Sequence, residues 1–393
     1  MRHQIRSIAT RAALAQLRGE WEALACAAHE ASACLSYAYC EVAALRAWAE
    51  GATLIVVLLY RDETLQLLWP LTIQRRGLLR VAQAPGCGSR EEYGGPLVRG
   101  VATVPVLAQA LAAVRGIAAD LLQLGPVADG SALQLALEAA PQSWLRPLLP
   151  QRLSGLPGRA IQLRAYAQWS AFAATLPKSL RANLRACNRR LQACGTVQFG
   201  WCSTPEDADA VLRWLFANKL RWAQSRALRD SYLEGDGMRS FFSALAQRID
   251  LADTPLVAYV KVDGVPVAAS VNLVGPQCVE FFVTTYDPAY RAYSVGGLLI
   301  EFIAQWAHAH GRDFDFRPLD APYKARWSNC MRFYRTPVLF LSTRARWAEC
   351  TTLAGLLGRA LRKLRRSRKN WGKLDRGQSR RTVACATPAQ TGI

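Results

Sequence analysis

Two distant stretches of the chain share one layout, and that layout constrains the fold more than any other feature. Leu54 to Ile73 reads LIVVLLY-RDE-TLQLLWPLTI: an apolar strand, an acidic turn and a second apolar strand. Leu256 to Val274 reads LVAYVKV-DG-VPVAASVNLV, the same hairpin around an Asp263-Gly264 turn. Aspartate and glycine tolerate the positive φ that a two-residue hairpin turn demands. Each hairpin is preceded by two helix-like stretches. Ahead of the second, Thr204 is placed to cap a helix opening Pro205-Glu206-Asp207, whose apolar face is Val211, Leu212, Leu215, Phe216 and Leu220. Another helix runs from about Met238 to Ile249. After each hairpin come a turn-rich stretch, a helix and a short strand. In the first half these are APGCGSREEYGGPLV, a helix near Val104 to Ala113, and ADLLQLGPV. In the second they are CVEFFVTTYDPAYRAYSVG, a helix reaching His310, and RDFDFRPLD. This order predicts two copies of one α+β unit, with mixed, mostly antiparallel sheets flanked by helices. The expected divisions are 1–155 and 156–345, joined near Pro150 to Gly158, with a basic tail over 346–393.

At 393 residues, half of them hydrophobic, the chain is long enough for two cores. No apolar run approaches the roughly 18 residues of a membrane span. Arg11, Arg18 and Glu20 interrupt any signal-peptide core, so a cytoplasmic protein is expected, with peripheral attachment to the inner membrane as an extension. Eleven scattered cysteines without a C-x-x-C pair read as free thiols. The four histidines have no cysteine partners at ligand spacing, so no metal is expected. His308 and His310 fall near a helix end, where they complement the dipole. The net charge is +20, and residues 344–393 carry 13 Lys/Arg against two acids, more than half of the excess. Such a tail attracts polyanions or anionic membrane, or remains a solvated extension.

Only the second copy carries chemistry at its helix entrance. In YDPAYRAYSVGGLL, Arg291, Ser294, Gly296 and Gly297 follow a strand and open a helix. A helix start offers unsatisfied N–H groups and a positive dipole end, glycines admit a phosphate close to the backbone, and arginine adds charge. In the first half, YGGPLV has glycines but no arginine at matching spacing, and Pro96 makes the turn rigid. That half is expected to supply architecture and part of a substrate wall.

The Arg291-x-x-Ser294-x-Gly296-Gly297 run resembles the acyl-CoA cradle of the GNAT acetyltransferase superfamily, with serine at the first glycine position. Residues 160–345 resemble the CelD-like acetyltransferases associated with exopolysaccharide and cellulose synthesis. The resembling segments are LPKSLRANLRACNRRL, Lys219-x-Arg221-Trp222, YDPAYRAYSVGGLL and DFDFRPLDAPYKARW. That family is related to the Fem-type peptidyltransferases, which also carry two GNAT-like halves. The resemblance implies tandem GNAT-like lobes, the first degenerate, and acetyl-CoA or another acyl-CoA as substrate.

Acyl transfer to an amine needs a base for the amine proton, a donor for the thioester carbonyl and an acid for the leaving thiolate. In a GNAT-like site the carbonyl donor is a backbone N–H near Val283 to Thr285, and Glu280 on the same strand is the candidate base. Alternatively, Glu280 faces the core, beside Cys278 and Phe282. After the last strand, Asp320, Tyr323, Lys324 and Trp327 combine a carboxylate, a phenol and an ammonium within five residues, for acceptor orientation and charge stabilisation. Their bland alternative is a surface Asp–Lys ion pair. Tyr334 is a spare acid. Arg181, Arg185 and Arg189 form a basic stripe that reads first as a solvent face and otherwise as an anion-binding one. The expected activity is N-acyl transfer from acyl-CoA to an amine of a sugar or small metabolite. Two alternatives stand beside it: a Fem-like transferase using aminoacyl-tRNA, and a non-catalytic assembly protein of polysaccharide synthesis.

Overall fold

The computed structural model describes residues 2–89, 92–140, 155–226 and 235–348. In the first lobe, β1 (Arg2–Ile8) leads to helices α1 (Arg11–Ala15), α2 (Arg18–Ala27) and α3 (Tyr37–Ala49). The hairpin follows as β2 (Thr53–Arg61) and β3 (Thr64–Arg76), then β4 (Leu79–Gln83) and β5 (Leu97–Val98). Next come α4 (Val104–Val114), β6 (Leu121–Gln123), β7 (Val127–Ala128) and α5 (Ala132–Ala139).

The second lobe opens with β8 (Leu156–Ile161), α6 (Trp169–Thr175), α7 (Lys178–Gln192) and β9 (Val197–Trp201). Helices α8 (Pro205–Ser225) and α9 (Gly237–Ala246) precede its hairpin, β10 (Val257–Val262) and β11 (Val265–Val274). Then come β12 (Cys278–Tyr286), α10 (Val295–Ala309), β13 (Asp313–Pro318), α11 (Pro322–Trp327), β14 (Cys330–Arg335) and β15 (Val338–Phe340).

Local chemistry accounts for the elements that matter here. Thr204 caps α8 by accepting from the Asp207 N–H at 3.2 Å, with Pro205 in the first turn. Both hairpins turn through two residues of positive φ, Asp62 and Glu63 in one, Asp263 and Gly264 in the other. Only one of these four is glycine. In each lobe the hairpin is followed by a strand, a helix and a strand parallel to the one before it: β4 beside β6, and β12 beside β13. These are the parallel steps of otherwise antiparallel sheets.

Among the described residues, one sheet runs β1-β2-β3-β4-β6-β15 with β5 on β3, and the other runs β7-β14-β8-β13-β12-β11-β10-β9. The lobes therefore exchange strands: β7 of the first half pairs with β14, and β15, from beyond the second half's hairpin, pairs with β6. They share a core as well. Cys34, Tyr39, Val42 and Cys87 of the first half pack with Val211, Leu215, Phe241 and Phe242 of the second. Gly158, expected in the connection, lies inside β8. The expected joint at Pro150 and the basic tail from residue 349 onward lie outside the described residues.

Candidate active site

β12 and β13 pair in parallel at Cys278–Asp313, Val279–Phe314 and Glu280–Asp315. Beyond that last pair they part. β12 stays with β11 as far as Tyr286, while β13 turns toward β8, pairing Pro318 with Gly158. Strand alternation sends Val279, Phe281, Phe314 and Phe316 into the core beneath α10. Glu280, Phe282, Asp315 and Arg317 take the opposite face, which meets the first lobe. Arg317 and Leu319 hold left-handed backbone, φ 64° and 74°, a conformation unfavourable for either residue.

A buried polar cluster fills that junction. The Glu280 carboxylate, 3 % exposed, accepts from the Ser32 hydroxyl at 2.6 Å and the Ala33 N–H at 3.0 Å. Arg317 Nη1 lies 3.9 Å from it. Glu92 accepts from the Tyr39 hydroxyl at 2.5 Å and from the Cys87 N–H at 3.0 Å. The adjacent Tyr93 donates to Asp315 at 2.8 Å, and its hydroxyl is 3.4 Å from that of Tyr334. Asp315 also accepts from the Arg317 N–H at 2.6 Å. The Arg317 guanidinium sits 3.9 Å from the centroid of Phe282 and 5.5 Å from that of Tyr93.

Two carboxyl groups sealed from water, Glu280 and Glu92, and the half-buried Asp315 thus share one buried arginine. Burial raises the proton affinity of Glu280, Glu92 and Asp315 above the ordinary carboxylate range, and Arg317 only partly opposes this. For Arg317 burial works against the charge, but the surrounding acidic groups outweigh it and its pKa rises. Burial pushes the Tyr334 phenol up to about 12. Close approach by glycine builds the cluster: a methyl group at Gly86 or Gly125 would strike Glu92, and one at Gly158 would strike the Tyr334 ring.

The helix entrance lies at the far end of β12. Arg291 is exposed in a 3₁₀ turn, Pro288–Tyr293, and Ser294 stands at the start of α10 in left-handed conformation, φ 50° and ψ 35°. The Leu298 N–H bonds Ser294 O at 3.0 Å, leaving the N–H groups of Val295, Gly296 and Gly297 without intrahelical acceptors. The two glycines differ. A methyl group at Gly297 would come within 2.9 Å of Ser294 Oγ and 3.2 Å of Leu184 on α7, whereas one at Gly296 would meet only the Tyr286 ring, at 3.5 Å. Gly297 therefore serves packing, and Gly296 leaves an open approach. On α7, Arg190 donates to Ala292 O at 2.9 Å. Of the predicted stripe, Arg185 and Arg189 are exposed and Arg181 is half-buried.

The residues after β13 divide. Asp320 forms a two-pronged pair with Arg159 of β8, at 2.7 and 3.1 Å, which holds its carboxyl below the usual range. Lys324 turns inward. It is 8 % exposed and donates to the carbonyls of Phe316 at 2.8 Å and Leu319 at 2.6 Å, with those of Arg317 and Pro318 at 3.4 Å. It thereby holds the strained segment that carries Arg317. Tyr323 is 40 % exposed, with its ring 6.0 Å from Phe316, and Trp327 is buried. Val283 and Thr285 are buried on β12. Lys219 donates to Thr284 O at 3.2 Å and lies over the Trp222 ring, while Arg221 bonds Asn218. His308 bonds Tyr166 O and His310 stacks on Trp306. Among the described residues, no group of three or more His, Cys, Asp or Glu is placed to hold a metal, nine cysteines are free, and no helix is long and apolar enough to cross a membrane.

Comparison with known proteins agrees with this architecture. Residues 178–325 match the Acetyltransferase (GNAT) domain family. In three dimensions the chain is similar to FemX, with TM-score 0.62 at 10% identity, covering 88% of this chain and 99% of that one. It is similar to a conserved protein of Bacteroides thetaiotaomicron, TM-score 0.54 at 14% identity, covering 86% and 100%. It also resembles the C-terminal domain of a putative lysylphosphatidylglycerol synthetase from Agrobacterium fabrum, TM-score 0.51 at 13% identity, covering 86% and 96%. None of the curated proteins compared matches the chain. The fold is mixed α+β with two tandem GNAT-like lobes, and the second contains the stretch that matches the GNAT domain family.

Sequence reasoning missed Arg317, Asp315 and the first-lobe groups Ser32, Tyr39, Glu92 and Tyr93. For Asp315 and Arg317 a signal existed: in DFDFRP they alternate with Phe314 and Phe316, a polar row opposite an apolar one. For the first-lobe residues nothing in REEYGG or EASACLSYAY points to a site formed across the lobes.

Proposed function

We propose that the second lobe transfers an acyl group, acetyl foremost, from acyl-CoA to an amine. The fork carries this reading: a carboxylate at the last paired position of two parallel strands that then part, with a 15-residue helix beginning past the end of one of them. Glu280 takes the proton of the attacking amine. Burial raises its proton affinity above the ordinary carboxylate range. Backbone N–H groups of β12 between Val283 and Thr285 donate to the carbonyl oxygen as charge develops there. Tyr93 and Tyr334, beside Asp315, are the phenols available to protonate the leaving thiolate. The start of α10, open at Gly296, takes the pyrophosphate together with Arg291. Asp320 and the exposed Tyr323 orient the acceptor, and Lys324 acts through the segment it holds. The acceptor class, an amine on a sugar or small metabolite, follows the CelD-like resemblance.

The direct test is mass spectrometry of the purified protein for co-bound CoA species, followed by calorimetry with acetyl-CoA. Glu280→Gln then lowers turnover about a hundredfold or more while leaving donor affinity within a factor of a few. Unchanged turnover removes Glu280 as the base.

A second reading, an aminoacyl-tRNA donor, is favoured by Ser294, whose hydroxyl lies against Gly297 in the inner turn of the cradle, and by the fold shared with FemX. Aminoacyl-tRNA binding that weakens steeply with salt, in protein that binds no CoA, decides for it. Acceptor binding without turnover of either donor leaves the non-catalytic assembly role.

A further inference from the structure

The two most exposed large apolar side chains among the described residues are Leu78, 85 % exposed, and Trp347, 74 %. They leave the same end of the first sheet. Leu78 occupies the tip between β3 and β4, in the run Arg75-Arg76-Gly77-Leu78-Leu79-Arg80, with Gly77 turning at φ 61°. Trp347 belongs to a helical stretch, residues 343–348, that leaves β15 two residues after its end. Asp120 ties the two together. Its carboxylate accepts from the Arg80 N–H at 2.8 Å and from the Ser342 hydroxyl at 2.5 Å, and its backbone bonds Arg80 O and the Leu341 N–H.

The exposed charges flanking Leu78 and Trp347 are basic, with Glu50 nearby across the cleft from Arg76 and paired with Arg46. Arg75, Arg76 and Arg80 flank Leu78, Arg344 and Arg346 flank Trp347, and all five are exposed. Asp120 is buried, 7 % exposed, and engaged with the backbone and Ser342. Past Trp347 the sequence continues into residues 349–393, which add eleven Lys/Arg against Glu349 and Asp375.

We infer that this end of the first lobe is a docking surface for an anionic lipid bilayer. Arginines meet the headgroups, leucine at a protruding tip enters the acyl boundary, and tryptophan takes the interfacial level that suits its amphipathic ring. A nucleic acid gains nothing from an aliphatic tip and wants stacked aromatic faces with its cations. A protein partner wants a groove or a flat apolar patch, whereas a two-residue tip ringed by arginine is convex. The inference stands apart from the acyl-transfer chemistry, since none of these residues touches the fork.

The test is flotation of the full-length protein with vesicles of phosphatidylcholine, with and without phosphatidylglycerol. Wild type is expected to bind only the anionic vesicles, and more weakly as salt rises. Leu78→Ser lowers partitioning about tenfold, Leu78→Phe retains it, and both keep the wild-type melting temperature because the side chain packs on nothing. Amide exchange across residues 75–80 slows when anionic vesicles are added. Equal partitioning of Leu78→Ser and wild type assigns any binding to the tail and overturns the proposal. Retention by single-stranded RNA without retention by anionic vesicles overturns it as well.

Discussion

Arg317 and Glu280 face each other across the fork with 3.9 Å between guanidinium and carboxylate, both sealed from solvent, where the two central strands stop pairing. Ser32 and Ala33, from the other half of the chain, complete the carboxylate's hydrogen bonds. The site is therefore a property of the assembled lobes. Neither half contains it.

Removing the cation tests that statement. Arg317→Met leaves the buried Glu280 and Glu92 and the half-buried Asp315 without their counter-charge and is expected to destabilise the protein by about 3 kcal/mol, seen as a lower urea midpoint at unchanged slope. Arg317→Lys keeps the charge but loses the flat stacking on Phe282, so an intermediate loss is expected. A wild-type midpoint for Arg317→Met would show that the cluster contributes nothing.

The pH dependence of stability has a definite sign. Glu280, Glu92 and Asp315 hold their protons more tightly in the folded state than in the unfolded chain. Their contribution is fully present below the unfolded carboxylate pKa of about 4 and is lost as pH rises through the raised folded values. Asp236 and Asp320 are lowered by arginine partners, and their contribution is lost only as pH falls below the ordinary range. Urea midpoints measured upward from about pH 5 should therefore fall less steeply for Glu280→Gln, which cannot ionise. Parallel curves for wild type and variant would contradict the assignment of Glu280.

At the helix entrance the serine and the first glycine predict opposite effects. Ser294→Gly relieves a left-handed residue that bonds nothing as a cap, and stability is expected to rise by about 1 kcal/mol. If the pyrophosphate rests there, the same change strengthens acetyl-CoA binding. Gly296→Val fills the open approach and weakens binding at least tenfold, about 1.4 kcal/mol. Calorimetry on folded Gly296→Val with wild-type affinity would remove the cradle.

Lys324 and Asp320 separate by readout. Lys324→Met abandons four carbonyls in a buried loop, so it should cost about 3 kcal/mol and lower turnover through displacement of Arg317. Asp320→Asn loosens an exposed pair with Arg159 and leaves the urea midpoint unmoved, so any change in its KM for the acceptor reports substrate contact. Equal stability of Lys324→Met and wild type would exclude the positioning role.

Much of the architecture is decided within the sequence, because its causes are local. Apolar runs broken by acidic turns make LIVVLLY-RDE-TLQLLWPLTI and LVAYVKV-DG-VPVAASVNLV hairpins, and Thr204-Pro205 starts a helix by satisfying its own first turn. The paired order of elements, and with it the two-lobed α+β fold, follows from such signals. What the tertiary structure decided is which polar groups meet. Glu280 was legible as a strand residue, but whether it paired, faced solvent or lay in a site depended on Ser32, nearly 250 positions away. Lys324 and Asp320 have the spacing of an ion pair, yet one turns to carbonyls and the other to Arg159, because β8 and the bend of β13 lie nearer than one helical turn. β7 and β15 are too short to announce their sheets, and the exchange that locks the lobes together is set by which strand edges remain open once the hairpins have folded. Sequence spacing encodes periodicity along one element, while burial and partner choice belong to the packing between elements.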